Sequence, residues 1–111
     1  MKCSEYLWKY LSIHEHMGEI SDSEAQAQLN LAMQQNGDTK ILADDTGEEM
    51  SEREAMHVFN VNGKRLREAY KKGQKSLFER VVAKQNMSDS EYRDEKKKAE
   101  ERAKRESNEE S

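Results

Sequence analysis

Three groups of side chains in this sequence are of types that do chemistry. Lys64, Arg65, Arg67, Lys71, Lys72 and Lys75 fall within twelve residues. Cations at that density suit the phosphate oxygens of a polyanion. Glu68 lies among them and Asn62 two residues before, and an amide or a carboxylate in such company can address base edges. His14-Glu15-His16, with Cys3 upstream, offers imidazole and thiolate, the ligands of zinc. Asp44, Asp45, Glu48 and Glu49 offer the oxygens that hard cations take.

Spacing removes the second and third groups. Residues two apart on a helix point to different faces, so His14 and His16 do not share a tetrahedral site. A single cysteine with no second histidine pair does not complete one, and Cys3 has no activating base nearby in sequence. The acidic run lacks the alternating oxygens and central glycine of a calcium loop, and its carboxylates are too few to imitate a row of phosphates. His57, near the basic run, reads as an ordinary surface histidine. No glycine-rich phosphate loop, nucleophile elbow or dinucleotide fingerprint occurs. The expectation is a binding protein, not an enzyme, with no catalytic residue, metal or cofactor.

The basic run must be positioned by what precedes it. Ser51 with Glu54 forms a capping box, so a helix starts at Glu52. Ala55, Val58 and Phe59 give it one apolar face. Asn60-Val61-Asn62-Gly63 supplies residues that tolerate a left-handed backbone and predicts a turn. The periodic pattern resumes from Lys64 to Lys72, with Leu66, Ala69 and Tyr70 on one side and the cations on the other.

Two short helices about a tight turn resemble the helix-turn-helix segment of DNA-binding proteins. Ala55 and Phe59 match the apolar pair of the first helix, Asn60 the turn position and Val61 the aliphatic plug. Leu66 and Ala69 match the pins of the second helix. Met56 stands where a small residue is usual and Asn60 where glycine is usual. The likeness covers about a fifth of the chain and points to a motif class. It implies that Lys64 to Lys72 is a recognition helix. Asn62, Lys64, Arg65 and Glu68 would then face base edges, and Arg67, Lys71, Lys72 and Lys75 would hold phosphates. A homodimer would read a symmetric site, although no dimer seam is visible. An αα-hairpin packed in a helical core produces the same pattern without DNA.

The 111 residues suffice for one domain with tails. Only 33% are hydrophobic and 38% are charged, so the core is small. Proline is absent, and β-branched and aromatic residues are too sparse for a sheet of any size. The expected class is all-α. No apolar run suits a signal peptide or a membrane span, and a lone thiol fits a reducing compartment, so a cytoplasmic protein is expected. The net charge of −4 conceals segregation. Residues 1–50 carry 3 basic and 10 acidic side chains, residues 51–85 carry 9 and 4, and residues 86–111 carry 7 and 9. The basic middle either meets an outside polyanion or is neutralised from within.

Along the chain, residues 1–37 read as an N-terminal helical hairpin. One helix runs from a Ser4 cap to Met17 and Gly18, and the next from Ser21-Asp22 to Asn36-Gly37. Leu7, Trp8, Leu11 and His14 or Glu15 share a face of the first helix, flanked by Tyr6, Tyr10 and Met17. The aromatic cluster either anchors the core or docks a partner. Residues 38–50 form an acidic loop in which Ile41 and Leu42 plug the core, extended or as one helical turn. Residues 51–86 form a helix-turn-helix-like three-helix unit, provided Gly73 breaks the helix before Leu77, Phe78, Val81 and Val82. Residues 87–111 form a charged tail with little to bury, a solvated helix passing into disorder. Asp94/Lys98, Glu100/Lys104 and Glu101/Arg105 are spaced as i,i+4 pairs within it.

The function expected first is a small DNA-binding regulator of transcription or replication, with double-stranded DNA as partner. The alternative is an acidic adaptor or inhibitor of the phage or plasmid kind. It would dock a protein partner, a nucleic-acid enzyme or a repressor, through the N-terminal half.

Overall fold

The computed structural model describes the backbone of residues 1–109 and the side chains of residues 1–105. It is all-α, apart from one short hairpin. In order, the elements are α1 (Cys3–Met17), α2 (Asp22–Gln35), β1 (Ile41–Leu42), β2 (Glu49–Met50), α3 (Glu52–Lys71), α4 (Lys75–Lys84) and α5 (Asp89–Glu109). No described helix is long and apolar enough to cross a membrane.

The helix α1 is the hub and packs on α2, α3 and α4. Tyr6, Leu7 and Tyr10 are fully buried. Burial of each such side chain stabilises by about 1.5–3 kcal/mol, which makes α1 the anchor of the core. The two tyrosines expected on its flanks are therefore central, whereas Met17 is exposed. Ser4 is not the cap of α1. It lies inside the first turn, buried, and both its backbone N–H and its hydroxyl donate to Asp44. A carboxylate from the acidic loop thus reaches across the fold to an N-terminus where anions are favoured.

That reach depends on the loop's geometry. Ile41 pairs with Met50 and Leu42 with Glu49, antiparallel, so the segment is extended. Lys2 bridges Leu42 in parallel, and the Leu42 N–H donates to the Met1 carbonyl at 2.8 Å. Ile41 is buried, which fixes which side of the loop faces inward. Asp45, Glu48 and Glu49 stay exposed.

In α3 the structure departs from the sequence expectation. Ser51 accepts from the Glu54 N–H at 3.1 Å, as a cap should, but no turn follows at residues 60–63. The helix runs through to Lys71 with a kink at Asn62, where φ is −112° and ψ is 15°. Gly63 does not adopt positive φ. Asn62 is only 5% exposed, and its amide donates to the Val58 carbonyl at 3.1 Å. Bonding of this type to the preceding turn bends a helix without ending it. Ala55, Val58, Phe59, Asn62, Leu66 and Ala69 form one continuous stripe at helical spacing, and burying that stripe outweighs the tendency of Asn-Gly to stop. Val61, expected to plug the turn, is 59% exposed.

The break comes at Gly73 instead. Its φ of 66° suits glycine, and the Gln74 N–H donates to the Ala69 carbonyl, closing α3 with a Schellman-type cap. Residues 51–86 therefore hold two helices, a kinked α3 and α4, where three were expected. The third neighbour is α5, which packs on α4. Ser88 caps it, accepting from the Glu91 N–H at 3.3 Å. Met87 before it and Ala99 within it are buried, and Tyr92 packs on the core from the side. This tail is a docked helix as far as it is described. The expected passage into disorder concerns its last residues, whose side chains from residue 106 and backbone from residue 110 lie outside the described part.

Candidate partner-binding cleft

The eight residues expected to touch DNA divide into two sets. Asn62 is buried against its own helix and cannot face a base edge. The Arg65 guanidinium donates to the Met87 carbonyl at 2.7 Å and to Asp89 at 2.6 Å, and it lies 4.6 Å from the Tyr92 ring centroid. Glu68 pairs with Lys96 and Lys72 and accepts from the Tyr92 hydroxyl at 3.4 Å. The hydrogen bond from Lys96 holds the Glu68 carboxyl below its ordinary range, against a smaller opposing effect of desolvation. Lys72 bridges Glu68 at 3.5 Å and Glu100 at 3.7 Å. Arg65, Glu68 and Lys72 thus serve the seam between α3 and α5.

Lys64, Arg67, Lys71 and Lys75 form the second set. All are exposed, and none enters an ion pair among the described residues. Two of them, Arg67 and Lys71, stand on the rim of an open cleft of about 560 Å³ between α1 and the second half of α3. Trp8, Leu11, Glu15 and Tyr70 complete its lining.

The cleft is built by aromatic edges. The Trp8 ring meets Tyr70 at 4.7 Å and Phe78 at 5.1 Å, both edge-on, an arrangement that favours rigid contact. Tyr70 is fixed at its other end, where the hydroxyl donates to Glu15 at 2.7 Å and lies 3.2 Å from the Ser12 hydroxyl. Ser12 draws the phenol pKa down, but the Glu15 carboxylate and burial outweigh it, so the net shift is upward. Arg67 lies over Phe59 at 5.3 Å, which supports its guanidinium from beneath. The result is a half-exposed aromatic floor with two cations above it and one carboxylate already engaged.

The sequence placed Arg67 and Lys71 at a binding surface but assigned them a different neighbour. Leu11 and Tyr70 went to the core, and Trp8 stayed between core and docking patch. The signal was available. Along α1, Trp8, Leu11, Ser12 and Glu15 form a second stripe beside Tyr6, Leu7 and Tyr10, so the apolar arc is wider than a core needs.

The other groups of reactive types serve the fold. Cys3 is buried, and burial, with Asp44 adding to it, pushes its thiol up to about 12, far from a reactive thiolate. His14 packs edge-on against Tyr10 at 4.7 Å with its Nε2 3.8 Å from Asp22, while His16 is exposed, so the two do not converge. Tyr10 donates to the same Asp22 at 2.6 Å. Among the described residues, no three His, Cys, Asp or Glu side chains gather as a cation would need. Comparison with protein-family models, with curated proteins and with solved structures yields no match to this chain.

Proposed function

We propose that this chain is a non-enzymatic adaptor or inhibitor that binds another protein through the cleft between α1 and α3. Its occupant is an acidic segment carrying one bulky apolar side chain. The observation that carries the reading is the contrast along α3. Arg65 and Lys72 are answered by α5, whereas Arg67 and Lys71 flank an apolar floor unanswered. An apolar anchor against Trp8 and Tyr70 supplies affinity, and carboxylates facing the two cations supply orientation and register. The buried lone thiol fits a reducing compartment, and we place the protein in the cytoplasm.

Selection from a displayed library of random peptides tests this. Enriched peptides should combine acidic residues with one aromatic or large aliphatic residue. Their binding should shift the fluorescence of Trp8, the chain's single tryptophan, and R67E/K71E should abolish it. Peptides without an acidic bias, or binding indifferent to R67E/K71E, would remove the reading.

Double-stranded DNA remains a second reading on one observation, the four exposed cations Lys64, Arg67, Lys71 and Lys75. Without a turn at residues 60–63, these would grip phosphates only, and base readout by Asn62, Arg65 and Glu68 is not part of it. A gel shift that shows sequence preference would restore the original form.

A further inference from the structure

The ion pairs of α5 are sorted by side. Asp89 reaches Arg65, Glu100 reaches Lys72, Glu95 reaches Arg80 at 3.4 Å and Glu91 reaches Lys84. Four of the six described carboxylates of α5 thus turn toward α3 and α4. Lys96 is the one cation that turns with them, toward Glu68. What is left on the outside is Arg93, Lys97, Lys104 and Arg105 against Asp94 and Glu101, with Lys98 and Arg102 bordering the groove beside α4, all exposed. Among the described residues, the outward side of the helix therefore carries four cations to two carboxylates.

At 3.6 residues per turn, Arg93, Lys97 and Lys104 fall within about 40° of one another, and they extend over roughly 16 Å of helix. Asp94 and Glu101 lie to one side of that line, and Glu100, which reaches Lys72, lies to the other. The apolar residues Tyr92 and Ala99 turn away from it, into the protein.

We infer that the outward face of α5 binds the phosphodiester backbone of nucleic acid, independently of sequence. A row of cations along a straight edge matches a line of phosphates and carries no base-reading group. A membrane surface is the poorer fit, because an interfacial helix needs an apolar face toward the lipid and α5 has turned its own inward. A protein hot spot is poorer too, since the face offers no aromatic or aliphatic anchor. The inference does not rest on the cleft. It uses a different helix and a different ligand.

Fluorescence anisotropy of a labelled random-sequence duplex, titrated with the full chain at about 50 mM and about 200 mM salt, tests it. Binding should weaken steeply between the two salts. R93E/K97E/K104E should reduce low-salt affinity at least roughly tenfold and flatten the salt slope by about one unit per lost contact. Its melting curve should match that of the parent, because these exposed side chains enter no ion pair among the described residues. K9E/K40E, exposed cations away from both the cleft and α5, should leave binding unchanged. Failure to bind at low salt, loss through K71E/K75E in place of the α5 variant, or stronger binding to anionic lipid vesicles would each overturn the inference.

Discussion

The helices α1 and α5 are held by opposite means. The first buries Tyr6, Leu7 and Tyr10 completely and sits between three other helices. The second buries Ala99, half-buries Tyr92 and is fastened by ion pairs to Arg65, Glu68, Lys72, Arg80 and Lys84. Apolar burial is insensitive to salt and to mild pH change, whereas exposed ion pairs are weak singly and screened by salt. One chain therefore contains a rigid aromatic body, with the cleft on its flank, and a helix attached by charge. The conditions that loosen the two differ.

The sharpest way to break the rigid side is Phe78→Ala. Phe78 is fully buried and supports Trp8 edge-on at 5.1 Å. Its loss should cost about 3–5 kcal/mol in urea unfolding, a large share of the stability of a domain of this size, and Phe78→Leu should cost less. Asp44→Ala is next. It removes the carboxylate that accepts from Ser4 at the start of α1, and it should cost about 1–2 kcal/mol. A mutant as stable as the parent would show that the loop follows α1 instead of fixing it.

Arg65→Ala addresses the charged side. The guanidinium ties together the Met87 carbonyl, Asp89 and the Tyr92 ring, so its loss should loosen α5 by about 1–2 kcal/mol. Hydrogen exchange should show amides of α5 losing protection while those of α1 keep theirs. Equal loss in both helices would mean that α5 is integral to the core and would erase the contrast.

How far this was legible depended on the kind of interaction. The boundaries of α2, the end of α1 at Gly18 and the Gly73 break follow from local signals, a cap, an apolar period and a positive-φ glycine. By contrast, α1 and α4 start without a side-chain cap. The continuous stripe through Asn62 was equally local, but the Asn-Gly pair gave a competing signal, and only burial of the amide decides between them. The charge pattern was not local at all. Arg65 and Lys72 could be known to be neutralised only once Asp89 and Glu100 had been brought beside them. Glu100, spaced to pair with Lys104, pairs across the seam with Lys72 instead. The cleft needed the α1 and α3 faces in register, so Trp8 and Tyr70 carried no mark of their proximity.

The smallest expected effect concerns pH. Glu68 has its pKa lowered, first by the hydrogen bond from Lys96 and then by the neighbouring charges against a modest desolvation, and Lys96 has its own raised chiefly by Glu68. For a carboxyl whose folded value lies below its unfolded one, the contribution is complete above the ordinary range and is lost as pH falls through the folded value. For the raised lysine it is complete below the ordinary lysine range and is lost as pH rises through the folded value. The seam should therefore be flat across neutral pH and loosen only in acid below the usual glutamate range, or in strong base. Tyr92 reports it, since its hydroxyl reaches Glu68 and its ring lies under Arg65. An NMR titration of the Tyr92 ring should be unmoved at neutral pH and shift in acid, and Glu68→Gln should remove the acid shift. A midpoint near neutrality, or an acid shift that survives Glu68→Gln, would place the acid-labile link of α5 at another carboxylate, such as Asp89 or Glu95.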